Sequence, residues 1–166
     1  MRTIFQLKPR DAPMIAEGQP APDFTLPDQR GDEVTLSTLR GKPIVLYFYP
    51  TDDTPTCTTE ACAFRDARKD YKKAGAIVLG ISPDDVKSHA RFARKHELEF
   101  TLLADVGAKV CNDYGVWKEK STFGRTYMGV ERTTLVIDRD GVVRKVFPRV
   151  RVNGHAGAVL DAIKAL

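Results

Sequence analysis

Two cysteines, Cys57 and Cys62, lie five residues apart in "YFYPTDDTPTCTTEACAFRD", which runs from Tyr47 to Asp66. A thiol is a nucleophile only as its thiolate, and the open N–H groups at a helix start, worth about half a positive charge, favour that form. An apolar run ends at Pro50 and a helical pattern begins near Thr58, so Cys57 falls at or just inside a first helical turn. Thr54, three residues upstream, has a hydroxyl within reach of a thiolate or an incoming oxygen. Pro50 and Pro55 donate no backbone N–H and stiffen the loop, which keeps fixed donors preorganised. A cysteine by itself is a small buried hydrophobe as readily as a nucleophile; the strand-to-helix placement favours the nucleophile.

Cys62 adds a geometric condition. In regular helix, residues i and i+5 are roughly 8–9 Å apart at Cα, whereas a disulfide wants less than about 7 Å. A bond between the two requires the first turns to unwind, as suits a transient catalytic disulfide better than a structural staple; the alternative is that Cys62 packs beside Ala61. Cys111, in "AKVCNDYG", follows an apolar helical pattern and reads as core. No metal site is expected: Cys-x4-Cys lacks a second ligand pair at zinc spacing, and His89, His96 and His155 are scattered.

The elements that must position these groups follow from periodicity. "DFTLPDQRGDEVTL" reads as a hairpin around a Gly-containing turn. "IVLYFY", Ile44 to Tyr49, suits a central buried strand. Thr58 to Lys73 is predicted as one helix, with Ala61, Phe64, Ala67, Arg68 and Tyr71 at helical spacing and Gly75 closing it. "AIVLGIS" is the next buried strand. A second helix then opens with Ser82 as N-cap and Pro83 at its first position. "EFTLLAD" is a short strand and "VGAKVCNDYG" a short helix. "RTTLVIDRDGVVRKVF" is a hairpin turning at Asp140-Gly141. "NGHAGAVLDAIKAL" is a closing helix capped by Asn153. The order ββ, βαβα, β(α)ββα predicts an α/β fold: a thioredoxin-like three-layer α/β/α sandwich with a mixed central sheet.

The 166 residues, 42% apolar and 29% charged, imply one soluble domain with an adequate core, expected over 15–166 behind a tail at 1–14. The net charge of +4 is spread along the chain; its crowding in "RDGVVRKVFPRVRVNGH" reads as a solvated strand face, and no nucleic-acid partner is expected. No run approaches the ~18 apolar residues of a membrane span, and the start lacks a signal-peptide pattern. Three cysteines, an odd number, argue against a secreted disulfide framework and for a reducing cytoplasm.

The stretch "PTDDTPTC" fits Pro-x3-Thr-x2-Cys with Pro50, Thr54 and Cys57 and so resembles the peroxiredoxins, thiol peroxidases of thioredoxin-like fold. With Cys62 five residues on, it is most similar to their bacterioferritin-comigratory, or peroxiredoxin Q, branch. The likeness runs from about Gly18 to the C-terminus, through "GQPAPDFTLPDQRG", "LRGKPIVLYFYP", "ACAFRDA", "YMGVERTTLVIDRDG" and "VNGHAGAVLDAI". The resemblance implies a peroxidase for hydrogen peroxide and organic hydroperoxides. Cys57 would be the peroxidatic cysteine and pass through sulfenic acid. Cys62 would resolve it to an intramolecular disulfide, Thr54 would orient the peroxide, and Arg132 would stabilise the thiolate and polarise the peroxide, with Glu60 either holding Arg132 or capping the helix. Without the resemblance, Arg132 would read as a strand-surface charge. No cofactor is implied; the reductant would be thioredoxin or a similar dithiol protein, and the chain would be a monomer or weak homodimer. Thr56 stands where that branch often carries Gly, which predicts strain if the backbone there is left-handed. Asp52 and Asp53 put two negative charges ahead of the thiol, where they would oppose thiolate formation. The competing functions are a disulfide-exchange enzyme, which would want Cys-x2-Cys at the helix start, and a redox sensor or chaperone-like module on the same scaffold.

Overall fold

In the computed structural model, which describes residues 13–166, the run Ile44–Phe48 is β3, buried at every position. It pairs in parallel with β4 (Ile77–Ser82) and antiparallel with β8 (Thr133–Ile137). A strand enclosed on both faces must be apolar throughout, which is why "IVLYF" does not alternate. β5 (Thr101–Ala104) extends the sheet in parallel beyond β4, and β9 (Val143–Phe147) extends it antiparallel beyond β8. The central order is β5-β4-β3-β8-β9, a mixed five-stranded sheet.

The two faces of β3 feed separate cores. Ile44, Leu46 and Phe48 pack with Val110, Cys111 and Tyr114 of the short α4 region (helix Lys109–Asp113) and with Phe24 near the β1–β2 hairpin (Thr25–Pro27 and Glu33–Thr35). Val45, Tyr47 and Tyr49 face the other core. That side is covered by α1 (Pro55–Asp66), α2 (Arg68–Lys73), α3 (Val86–Lys95) and α5 (His155–Lys164). The expected three-layer α/β/α arrangement is therefore present. Tyr47 lies across Gly80 on the neighbouring strand, where an added Cβ would come 2.8 Å from the ring.

Several boundaries differ from expectation. The single helix over 58–73 is two, broken at Ala67, whose ψ of 6° leaves the helical range. It also starts three residues earlier, because Pro55 is well suited to a first helical position. Ser82 is the last residue of β4 rather than a cap; Asp85 caps α3 by accepting the Ser88 N–H at 2.8 Å. α5 follows Gly154 at φ 74°, not an Asn153 cap. A hairpin of β6 (Trp117–Thr122) and β7 (Arg125–Val130) was not expected; it stands outside the central sheet. Its residues are largely polar and half-exposed, so no buried face announces it. Of the expected tail, residues 1–12 lie outside the described residues, while Met14 packs against the first core.

Candidate active site

β3 ends where Pro50 cannot continue the ladder, and the loop 50–54 carries the chain to α1. Thr54 is the N-cap residue, with extended backbone, and Pro55, Thr56 and Cys57 are the first three helical positions. The Thr58 N–H makes a first helical bond, to the Thr54 carbonyl at 2.9 Å. Cys57 thus sits inside the open, positive end of a 12-residue helix. The Thr54 hydroxyl donates to the Thr51 carbonyl at 3.0 Å, which leaves its oxygen able to accept.

Cys57 is buried, 2% exposed, on the face of α1 that meets Tyr47 and Tyr49. Arg132 enters from the residue preceding β8, 75 positions away. Its Nη2 donates to Cys57 Sγ at 3.2 Å, and its Nη1 donates to Glu60 Oε1 at 2.7 Å. One planar guanidinium therefore spans the sulfur and the carboxylate, a geometry a lysine could not reproduce. The Arg132 carbonyl accepts the Val150 N–H at 2.9 Å, which ties the arginine to the loop after β9. Burial opposes the Arg132 charge, but Glu60 and Cys57 hold its pKa above the ordinary value. Burial pushes the Glu60 carboxyl up to about 7 against the pull of Arg132, and its second oxygen has no partner.

Cys62 lies in the same helix, half-buried, with both thiols free. The helix is continuous between the two cysteines, so the unwinding that the i, i+5 spacing demands applies to this fold. Cys111 is fully buried in the core, as expected, and burial drives its thiol far above the usual range.

The strain predicted at Thr56 is absent, and both carboxylates ahead of the thiol have partners. Thr56 is helical; the left-handed residue is Asp53, at φ 59°. Asp53 is paired with Lys95 at 2.7 Å and with His96 at 2.9 Å, and these bonds hold its carboxyl below the usual range. Asp52 turns inward to Tyr49, Ser88 and His89. Beside Pro50 and Thr51 a cleft of about 440 Å³ opens towards Trp117, Tyr127 and Met128 of the β6–β7 hairpin. A cavity of about 500 Å³ around Lys42, Phe64, Tyr71 and Phe100 contains none of the expected site residues.

The AhpC/TSA family profile matches residues 17–146, more than half of the chain. The chain belongs to this peroxiredoxin family. It is 52% identical over 149 residues to the putative peroxiredoxin bcp of Coxiella burnetii, covering 90% of this chain and 99% of that one. It is 46% identical over 150 residues to peroxiredoxin Bcp of Bacillus subtilis, covering 90% and 96%. Among solved structures it resembles the bacterioferritin comigratory protein of Xanthomonas campestris, with TM-score 0.82 and 40% identity over 86% of this chain and 90% of that one. It also resembles BcpB of Mycobacterium tuberculosis, with TM-score 0.81 and 39% identity over 90% and 97%. The chain is a peroxiredoxin of the Bcp branch and a thiol-dependent peroxidase that acts on peroxides with a thiol reductant. Among the described residues no helix is long and apolar enough to cross a membrane.

Of the residues named from the sequence, Cys57, Arg132 and Glu60 meet directly, Thr54 and Pro50 frame the same loop, and Cys62 lies further along the helix. The Tyr49–Asp52–His89 contact was not anticipated. It joins positions 37 and 40 apart that share no local periodicity.

Proposed function

We propose that Cys57 is the peroxidatic cysteine and Cys62 its resolving partner within one chain. The Cys57 thiolate attacks one peroxide oxygen; the O–O bond breaks, and the leaving alkoxide or hydroxide takes a proton to depart as alcohol or water. Cys57 is left as sulfenic acid. The Cys62 thiol then displaces the hydroxyl as water, forming the Cys57–Cys62 disulfide once the intervening turns of α1 open. A dithiol protein of the thioredoxin kind returns both to thiols by exchange through a mixed disulfide. Thr54 orients the peroxide, Pro50 fixes the loop, and Arg132 holds the thiolate and the developing negative charge. The observation that carries this reading is the 3.2 Å contact between Arg132 and a sulfur in the first turn of α1. The apolar side chains lining the cleft beside Pro50 support organic hydroperoxides as substrates besides hydrogen peroxide. Resolution within one chain needs no dimer, so a monomer or weak homodimer in a reducing cytoplasm suffices.

The test couples the reduced protein to thioredoxin, thioredoxin reductase and NADPH and follows NADPH loss after peroxide is added. Cys57→Ser is expected to abolish turnover; full turnover in that variant overturns the assignment.

A further inference from the structure

His89, in α3, is completely buried and takes no part in the reaction described above. Its Nε2 lies 3.0 Å from the Leu103 carbonyl of β5, and its Nδ1 lies 2.7 Å from Asp52 Oδ2. A carbonyl carries no proton, so Nε2 must donate. The hydroxyls nearby are committed to the same carboxylate: Tyr49 donates to Asp52 Oδ1 at 2.6 Å, and Ser88 donates to Oδ2 at 2.8 Å. Asp52 is 4% exposed. A carboxylate that accepts from two hydroxyls can accept a third proton from the ring, which places a proton on Nδ1 as well.

We propose that His89 is a buried imidazolium, permanently paired with Asp52, that positions the loop 50–54 and keeps the Asp52 charge from opposing thiolate formation at Cys57. Asp52 sits in the loop that ends at the Thr54 N-cap, three residues before Cys57 in the first turn of α1, and its charge, after burial and Glu60, also raises the Tyr47 hydroxyl. The groups facing the pair are Tyr49, just past β3, and Asp84 after β4. The latter's Oδ2 accepts the Asp52 N–H at 2.8 Å and the Ser82 hydroxyl. From β5 the pair meets the Leu103 carbonyl. On α3 it meets Ser88, while Arg91, Arg94 and Lys95 line the outer cleft above Asp52. Asp52, Asp84 and His89 also have the mutual reach of a cation site, with ligand atoms within 4.8 Å of one another. An imidazolium has no lone pair to offer a metal, so in this reading His89 is the ion-pair partner of Asp52 and not a ligand.

As a positioning pair, His89 and Asp52 act through the loop and its charge, not on the peroxide. The inference takes Cys57 to be the reactive thiol proposed above. Long-range 1H–15N NMR of the imidazole rings in the reduced native chain reads the first half directly. His89 is expected to show both ring nitrogens protonated. A ring with one protonated nitrogen overturns the proposal. The second half is read from the pH profile of iodoacetamide alkylation at Cys57. His89→Gln, which leaves Asp52 uncompensated, is expected to move the midpoint up by about one pH unit. The double variant Asp52→Asn/His89→Gln is expected to return it close to the native position. A midpoint unmoved by His89→Gln, or moved equally in both variants, contradicts the charge-matching role. If His89→Gln does not fold, the NMR result on the native chain still decides. Turnover of Cys57→Ser is scored separately, so loss of the peroxidatic assignment would leave the His89 readouts intact.

Discussion

At the scale of single residues, the site is an arrangement of one sulfur, one guanidinium and one carboxylate. Arg132 contacts Cys57 and Glu60 with different nitrogens, so the proposed stabilisation of the thiolate depends on its plane being fixed. Arg132→Lys keeps the positive charge but loses the fork. We predict that kcat/KM for hydrogen peroxide falls by about 100-fold or more, the size seen when a preorganised donor is removed. Stopped-flow peroxide consumption checks this; a loss smaller than tenfold would mean that charge alone suffices. The sequence made Cys57, Thr54 and Pro50 legible through local spacing. Arg132 was legible only through the family motif, because its contact spans 75 positions and its own neighbourhood reads as an ordinary strand edge. The Asp52–His89 pair escaped for the same reason, without a motif to reveal it.

At the scale of elements, β3 sets the position of α1. Its apolar run was plain in the sequence, as were β4 and the β8–β9 hairpin at Asp140-Gly141. The break at Ala67 was not, since no Gly or Pro marks it, and the β6–β7 hairpin has no core face to produce alternation. Caps were misplaced by a few residues because Ser, Asp and Asn compete for the same role, and only backbone geometry selects one. Gly80 has a packing reason that periodicity cannot carry: it leaves room for the Tyr47 ring, which in turn stacks on Phe64 of α1 at 4.8 Å. Gly80→Ala would place a methyl 2.8 Å from Tyr47 Cζ and 2.9 Å from Leu102 Cδ2. Over-packing of this kind costs about 1–3 kcal/mol. Urea unfolding is expected to show that loss; an unchanged midpoint would mean that the ring moves aside freely.

At the scale of the whole molecule, two buried groups shape the acid response in opposite directions. His155 accepts or donates at Thr134 at 2.8 Å, and burial, then the Arg132 charge, lowers its pKa from 6.5 to about 4. Between those values the unfolded chain binds more protons, so this contribution to stability is lost as pH falls from 6.5 to 4. Glu60 is raised from 4.5 to about 7, so between those values the folded chain binds more protons. Its contribution is lost as pH rises through that window. Each is worth about 3 kcal/mol at 1.36 kcal/mol per pH unit, and over 4.5 to 6.5 they offset one another. Glu60→Gln removes one side of the balance. Its stability, followed by urea unfolding of the reduced protein, is expected to rise by up to about 3 kcal/mol between pH 4 and 6.5, more steeply than the native chain. Parallel curves would contradict the opposed pair.

The central claim is that one buried sulfur, held by Arg132, does the oxidative chemistry and is resolved by Cys62 through unwinding of the helix that carries both. Peptide mass mapping after one equivalent of hydrogen peroxide tests it most directly. The account predicts a single intramolecular link between Cys57 and Cys62, with Cys111 still a thiol. Oxidation that leaves Cys57 unmodified, or a link from Cys57 to Cys111, would contradict it.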